Sequence, residues 1–137
     1  MCLIETIKNY ENNNPKHKAK YSVEFPSTVS EILYAEKSLY LIKSESGKTK
    51  IGISIDVKRR LRQIKLSGYN AKIVATFTPE PTFDLDARYL EKILHSFFSK
   101  KRVFGEWFNL EKADILEIIY ALDGIIDFYG NIDKHYI

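Results

Sequence analysis

Two short apolar runs on either side of a Ser-Gly turn are the feature that most constrains how this chain folds. Residues 39–42 (LYLI) are typical of a buried strand, and residues 50–54 (KIGIS) follow the turn at Ser46-Gly47 as its antiparallel partner. Residues 72–78 predict a third strand, which is closed off by prolines. The pattern therefore predicts a sheet that begins with a β-hairpin.

A helix is predicted between the second and third strands. Asp56 can cap its N-terminus, and Gly68 can end it. At about 100° per residue, one side of this helix carries an apolar stripe. The stripe consists of Val57, Leu61 and Ile64. Arg60 borders the stripe, whereas Arg59 and Arg62 point away from it. Of the three arginines, Arg60 is therefore the one whose orientation relative to the core can be predicted.

Two further helices are predicted towards the C-terminus. Residues 84–100 carry apolar side chains at positions i, i+3, i+4, i+7 and i+8, which is the spacing of one helix face. Those side chains are Leu90, Ile93, Leu94, Phe97 and Phe98. A last helix is predicted over residues 111–130, with Gly130-Asn131 at its end. Between the two helices, residues 105–108 predict a turn and a short extended piece.

The N-terminal quarter of the chain differs in character from the rest. Residues 1–30 predict a loosely attached arm, in which Ser27 or Thr28 could cap a short helix. Residues 31–137 predict a single domain, with its core over residues 38–110 and a C-terminal helix over residues 111–130. The fold class is therefore predicted to be α/β (α+β).

The basic residues are concentrated in one part of the chain. Residues 38–65 carry eight basic and two acidic side chains, whereas residues 113–137 carry five acidic side chains and one lysine. Positive charge concentrated in this way indicates a surface for a polyanion, with the acidic tail kept away from it. The alternative interpretation is a basic helix that is simply solvated.

Composition excludes several classes of protein. Apolar residues make up 45% of the chain, which is enough for one core and argues against global disorder. The single cysteine, Cys2, cannot form an intrachain disulfide, and three scattered histidines cannot complete a zinc module. No stretch approaches the ~18 apolar residues that a membrane span needs. A cytoplasmic protein without a membrane partner is predicted.

Four separated motifs occur in order along residues 38–110. They are residues 39–42, the KIG at 50–52, Arg60, and residues 87–91 followed by His95. In this order they resemble the GIY-YIG nuclease superfamily, and in particular its phage-type branch, in which the second motif is KIG and the domain closes with GEWF. The resemblance implies a three-stranded antiparallel sheet flanked by helices, and metal-dependent cleavage of a phosphodiester bond in DNA.

The resemblance also implies a role for individual residues. Tyr40 takes the place of the first-motif tyrosine, and Lys50 stands where a second tyrosine is usual. Arg60 matches the superfamily's arginine, and Glu91 matches its metal-binding glutamate. His95, one turn after Glu91, is predicted to assist as a donor behind the metal or as an alternative base.

These residue types also suit phosphodiester hydrolysis on chemical grounds. The permanently charged, forked guanidinium of Arg60 suits the non-bridging phosphoryl oxygens. One carboxylate, that of Glu91, can hold a hard cation that keeps its own waters, so Mg²⁺ or Mn²⁺ is the predicted cofactor. Tyr40 is the predicted general base, provided that a nearby cation such as Lys50 favours the phenolate.

Basic side chains outside the motifs are predicted to contact nucleic acid, with double-stranded DNA as the favoured partner. They are Lys43, Lys48, Lys58, Arg59, Arg62, Lys65, Lys100, Lys101 and Arg102. Three further residues have less defined roles. Glu106 is a turn cap or a second acid, Trp107 is a core residue, and Asn109 stands near where many superfamily members carry a late asparagine.

Three functions stay open at this point. The first is a metal-dependent DNA endonuclease. The second is a non-catalytic nucleic-acid-binding module, which Lys50 in place of a tyrosine favours. The third is a protein-interaction domain that docks through its acidic C-terminal helix. Each motif residue also has a structural interpretation: Tyr40 as a strand aromatic, Arg60 as a helix arginine lying over apolar neighbours, and Glu91 with His95 as an ordinary helix pair.

Overall fold

The computed structural model describes residues 2–12, 37–79, 87–126 and 130–134. These residues form helices and strands in the following order: α1 (Leu3–Asn12), β1 (Ser38–Ser44), β2 (Thr49–Ser54), α2 (Val57–Leu66), β3 (Ala71–Pro79), α3 (Ala87–Phe97), a 3₁₀ turn (Ser99–Lys101), β4 (Arg102–Phe104), β5 (Trp107–Phe108), α4 (Lys112–Ile126) and β6 (Gly130–Lys134). The predicted α+β class is confirmed.

The strands form one antiparallel sheet in the order β4-β5-β2-β1-β3-β6. The predicted β1–β2 hairpin is present, with Gly47 in its turn at a φ of 93°. Its register pairs Tyr40 with Gly52 and Ile42 with Lys50. Because side chains alternate between the faces of a sheet, Tyr40 and Lys50 lie on the same face.

The sheet separates two apolar clusters. The larger one packs one face against α1, α3 and α4, and includes Leu39, Leu41, Phe77, Leu90, Leu94 and Ile118. The smaller one lies on the opposite face beneath α2, and consists of Tyr40, Ile42, Ile64, Ala71 and Trp107. Val57 and Leu61 pack against this second cluster, so the predicted apolar stripe of α2 is confirmed.

Both ends of α2 follow the predicted capping signals. The Asp56 side chain accepts a hydrogen bond from the Arg59 backbone N–H at 3.0 Å, which satisfies one of the free donors of the first turn. After the last turn, Gly68 has a φ of 100°, a conformation that favours glycine. These two signals fix where the basic helix begins and ends.

The prediction of a loosely attached N-terminal arm is wrong for its first helix. Leu3 and Ile7 of α1 are completely buried in the larger cluster, between α3 and α4. The predicted short helix after Ser27 or Thr28 lies outside the described residues. The same holds for residues 84–86, the predicted start of the helix that corresponds to α3.

The C-terminal end also differs from the prediction. The last helix ends at Ile126, and residues 130–134 form β6, which pairs with the otherwise free edge of β3. The central strands β1, β2 and β3 form the three-stranded antiparallel unit that was predicted, and β4, β5 and β6 extend it. In the part of the chain that the structure describes, every helix is too short or too polar to cross a membrane.

Candidate active site

Tyr40 occupies the centre of β1 and is completely buried on the α2 face of the sheet. Its partner in β2 is Gly52, and the missing side chain there leaves room for the phenol. A methyl group at Gly52 would overlap the Tyr40 hydroxyl and would reach within 3.0 Å of Glu106 Oε2. Gly52 therefore allows a phenol and a carboxylate to meet above the backbone of β2.

The turn between β4 and β5 holds Glu106 in this position. Gly105 supplies the positive φ, 51°, and its carbonyl oxygen accepts a hydrogen bond from Arg102 Nε at 2.6 Å. The backbone oxygen of Glu106 accepts a hydrogen bond from the Ile51 N–H at 3.0 Å. On the side-chain end, Glu106 Oε2 lies 3.4 Å from Lys50 Nζ. Glu106 is thus held against β2 by a backbone hydrogen bond and by an ion pair of its side chain.

Arg60 reaches the same place from α2. Its Nη1 donates a hydrogen bond to Gln63 Oε1 at 3.2 Å, one turn further along the helix. The proximity of the Tyr40 hydroxyl and of Glu106 raises the pKa of the guanidinium, which therefore stays charged. Both Arg60 and the neighbouring Arg59 are exposed, but only Arg60 lines the cleft beside Tyr40. The side chain that borders the apolar stripe is the one that meets the tyrosine.

The environment of Tyr40 keeps its hydroxyl protonated. Burial raises the pKa of Tyr40; the guanidinium of Arg60 opposes this, and the carboxylates of Glu106 and Glu91 raise the pKa further. Arg60 is close enough to favour the phenolate, yet Tyr40 Oη has no well-aligned hydrogen bond to any described residue. The cation that opposes the rise in the pKa of Tyr40 is Arg60, and not Lys50, to which the sequence interpretation gave that role.

Glu91 lies in the middle of α3, and its side chain is half-buried. Burial is the main reason that its pKa rises to about 7, and the charge of Glu106 raises it further. Lys37 and Lys50 act in the opposite direction. Glu91 Oε2 is buried without a hydrogen-bond partner among the described residues. A buried acceptor in this state costs free energy until a donor or a cation satisfies it.

The two carboxylates suit a hard divalent cation. The charge of Glu106 raises the pKa of Glu91, and a cation bound by both carboxylates would relieve this repulsion. Among the described residues, no group of three or more acidic, histidine or cysteine side chains surrounds one point. A cation here would therefore keep several waters, as Mg²⁺ does.

His95 has a different position from the one its spacing suggested. Its Nε2–H donates a hydrogen bond to the Ile51 carbonyl oxygen at 2.8 Å, because a carbonyl can only accept. Its ring also packs against Phe108, with 5.0 Å between the ring centroids. His95 thus fastens α3 to β2, in the strand segment that precedes Gly52, and only Nδ1 is left to act as a base.

An open cleft of about 210 Å³ lies beside these groups. Lys50, Arg60 and Gln63 line its polar side, and Tyr69 and Trp107 line its apolar side. The two aromatic rings are stacked, with 5.3 Å between centroids and 28° between planes. Lys50 Nζ lies 5.5 Å from the Trp107 ring centroid. The buried position predicted for Trp107 is confirmed.

The remaining predicted DNA-binding residues fall into two sets. Lys58, Arg59, Arg62 and Lys65 are exposed on α2, and Lys43 and Lys48 lie at the far end of the β1–β2 hairpin. The second set surrounds the 3₁₀ turn, where Lys101 Nζ lies 2.6 Å from Asp114 and the Arg102 guanidinium lies over Phe108. Lys100 and Asn109 line a depression beside that turn, away from Tyr40.

The family model of the T5orf172 domain matches residues 37–123, which is more than half of the chain. The chain belongs to the T5orf172 family. The assignment to the GIY-YIG superfamily is therefore corrected, because the family whose model matches is a different one. The T5orf172 match contains every element from β1 to most of α4, and so every residue of the cleft. No curated protein and no solved structure matches the chain.

The sequence interpretation undervalued three residues of this T5orf172 domain. Glu106 was left between a turn cap and a second acid, yet its carboxylate lies against Lys50 and Gly52. Gly52 was named only as part of the KIG motif, and Tyr69 was not named. A register count through the hairpin would have placed Gly52 opposite Tyr40, but nothing in the local sequence indicates that Tyr69 meets Trp107.

Proposed function

We propose that this T5orf172 domain hydrolyses phosphodiester bonds in DNA with the help of Mg²⁺ or Mn²⁺. One observation carries the proposal: the Tyr40 hydroxyl and the Glu106 carboxylate meet above Gly52, with Lys50 Nζ 3.4 Å from Glu106 and with Arg60 and Glu91 near enough to shift the pKa of Tyr40. Clusters of perturbed titratable groups beside an open cleft are typical of catalytic sites.

Arg60 has the clearest chemical task. Its guanidinium stays charged and is held by Gln63 at the wall of the cleft. There it can donate two parallel hydrogen bonds to the non-bridging oxygens of a phosphodiester. Lys50, on the same wall, adds a second positive charge. These donors stabilise the charge that develops on the phosphoryl oxygens.

Tyr40 is the proposed acceptor of the proton from the attacking water. Arg60 beside it favours the phenolate, while burial and the two carboxylates oppose it. A divalent cation held by Glu91 and Glu106 would supply charge stabilisation for the leaving oxygen and offset the negative charge of these carboxylates. The raised pKa of Tyr40 makes hydrolysis faster as the pH rises above neutrality.

The exposed basic face of α2 provides the binding energy. Lys58, Arg59, Arg62 and Lys65 project from the helix that also carries Arg60. Contacts between such side chains and phosphates release counterions and depend strongly on salt. A DNA strand whose phosphates lie along α2 would lead into the cleft at Arg60.

Cleavage of supercoiled plasmid DNA tests the proposal. The wild-type chain should nick plasmid in Mg²⁺ or Mn²⁺ and not in EDTA. Glu91→Gln keeps the shape of the side chain and should lose cleavage, whereas Glu5→Gln, at an exposed position on α1, should not. Cleavage by Glu91→Gln at the wild-type rate would contradict the proposal.

A second function is favoured by one specific observation. The high pKa of Tyr40 makes it a poor base in the free protein, which suits a module that binds nucleic acid without cutting it. In that case DNA affinity would fall steeply with salt, and no metal would produce nicks. A protein-interaction role, by contrast, would use the exposed Leu116 and Tyr120 on α4 and would show no salt-dependent DNA affinity.

A further inference from the structure

We propose that Tyr69 is a stacking platform for the base of an unpaired nucleotide whose phosphate occupies the Lys50–Arg60 cleft. This inference rests on the proposed function, because it names the kind of nucleic acid that the same cleft accepts. It is carried by the position and exposure of the Tyr69 ring.

One face of the Tyr69 ring packs on Trp107, while the side chain as a whole remains 41% exposed. Trp107 itself is only 5% exposed, so the indole backs the phenol from within the protein. The backbone N–H of Tyr69 donates a hydrogen bond to the Ile64 carbonyl oxygen at 3.3 Å, which ties the platform to the end of α2.

Charge and aromatic surface meet in one small cleft. Lys50 and Arg60 line the cleft together with Tyr69, so an anion and a flat ring can be held at the same time. A nucleotide is the ligand that carries both groups on one short linker. Base–aromatic stacking with a basic groove is the usual means of binding single-stranded nucleic acid.

The exposed face of the Tyr69 ring selects for an unpaired base. An unstacked base can cover such a surface, whereas a paired base within a duplex has both faces covered by its neighbours.

The proposal is therefore about selectivity among nucleic acids. Affinity should be higher for an oligonucleotide with an unpaired base, such as a single-stranded oligo-dT or a duplex with a one-nucleotide bulge, than for the fully paired duplex. Tyr69 should account for the difference, while α2 accounts for the affinity that all of these ligands share.

Binding in EDTA separates these contributions without cleavage. Trp107 is the single tryptophan of the chain and lies against Tyr69, so its fluorescence reports directly on a base that stacks there. Tyr69→Ala should weaken binding of oligo-dT and of the bulged duplex about tenfold and leave the paired duplex unchanged. Tyr69→Phe should behave as wild type. Tyr120→Ala, which removes a tyrosine that is 73% exposed on α4, is the matched control.

The outcomes distinguish the two proposals. Equal affinity losses for paired and unpaired ligands in Tyr69→Ala, or no loss at all, would overturn the platform and leave the proposed nuclease standing. A Trp107 signal that does not change when oligo-dT binds would also overturn it. Failure of the wild-type chain to bind any nucleic acid would overturn the proposed function itself.

Discussion

The hydroxyl of Tyr40 lies directly against the backbone of Gly52, at the place where any other residue would carry its Cβ. The first prediction follows from this contact. Gly52→Ala should lower the free energy of unfolding by about 1–3 kcal/mol, because the added methyl group overpacks a buried site. It should also abolish cleavage, since the methyl group displaces the phenol and crowds Glu106. Denaturant unfolding and plasmid nicking measure the two effects, and unchanged stability would contradict the observed contact.

Removal of the Tyr40 hydroxyl should separate stability from activity. The hydroxyl is buried without a well-aligned hydrogen bond to any described residue, so Tyr40→Phe should leave stability unchanged or raise it by up to about 1 kcal/mol. Cleavage should be lost in the same variant, because the proposed proton acceptor is gone. A Tyr40→Phe protein that is clearly less stable would indicate that the hydroxyl has a structural partner instead.

The two adjacent arginines of α2 should differ sharply. Arg60→Ala should reduce the single-turnover cleavage rate about 100-fold or more, as expected for loss of a charged donor at the reacting phosphate. Arg59→Ala should have little effect, because that side chain does not line the cleft and its charge adds only to the general field of the helix. Similar losses in both variants would mean that neither arginine contacts the phosphate specifically.

Glu91 should make stability depend on pH. Its pKa in the folded protein, about 7, lies above the ordinary value of 4.5, so the folded state retains a proton that the unfolded chain has already lost. Without metal, the free energy of unfolding should therefore fall as the pH rises from about 4.5 to 7. A loss of about 1–2 kcal/mol is expected, less than the full shift implies, because solvent screens a partly exposed group.

The control for this pH effect is Glu91→Gln in EDTA. The variant should lose this component of the pH dependence and should be more stable than wild type at pH 8, where the buried charge is costly. Mg²⁺ should then stabilise the wild type more at pH 8 than at pH 5, since the cation binds the ionised carboxylate. An identical pH profile for both proteins would show that the pKa of Glu91 is not raised.

The two sets of basic residues should contribute differently to DNA affinity. Replacing Lys58, Arg62 and Lys65 with alanine should lower the slope of log affinity against log salt concentration by about 0.9 for each phosphate that the helix no longer neutralises. Lys101→Ala should leave that slope unchanged and reduce stability instead, because Lys101 is paired with Asp114 at 2.6 Å. DNA-binding titrations at several salt concentrations, made with each variant, measure the two slopes.

Local signals explain which parts of the fold could be predicted from the sequence. The glycine turn of the hairpin and the Asp56 cap act within a few residues, and both are found where the sequence placed them. The burial of Leu3 and Ile7, and the pairing of β6 with β3, depend on partners far along the chain. A short polar strand such as β6 has no periodicity of its own and exists because β3 offers a free edge.

The candidate site divides in the same way. Helical spacing indicated that Arg60, rather than Arg59, has a defined direction, and the structure places it beside Tyr40. The spacing along α3 also predicted that Glu91 and His95 lie on the same side of the helix and act together. The His95 imidazole instead donates a hydrogen bond to the Ile51 carbonyl oxygen. Glu106 could not be placed, because its position depends on a two-residue turn docking against β2.

The position of α1 between α3 and α4 makes the larger cluster depend on contacts between segments that are far apart in the sequence. Leu3 and Ile7 are buried by helices that begin at Ala87 and Lys112, so no neighbouring segment can cover them. While α3 and α4 are not yet in place, these apolar side chains stay exposed to solvent, and a partly folded chain in that state is prone to aggregate.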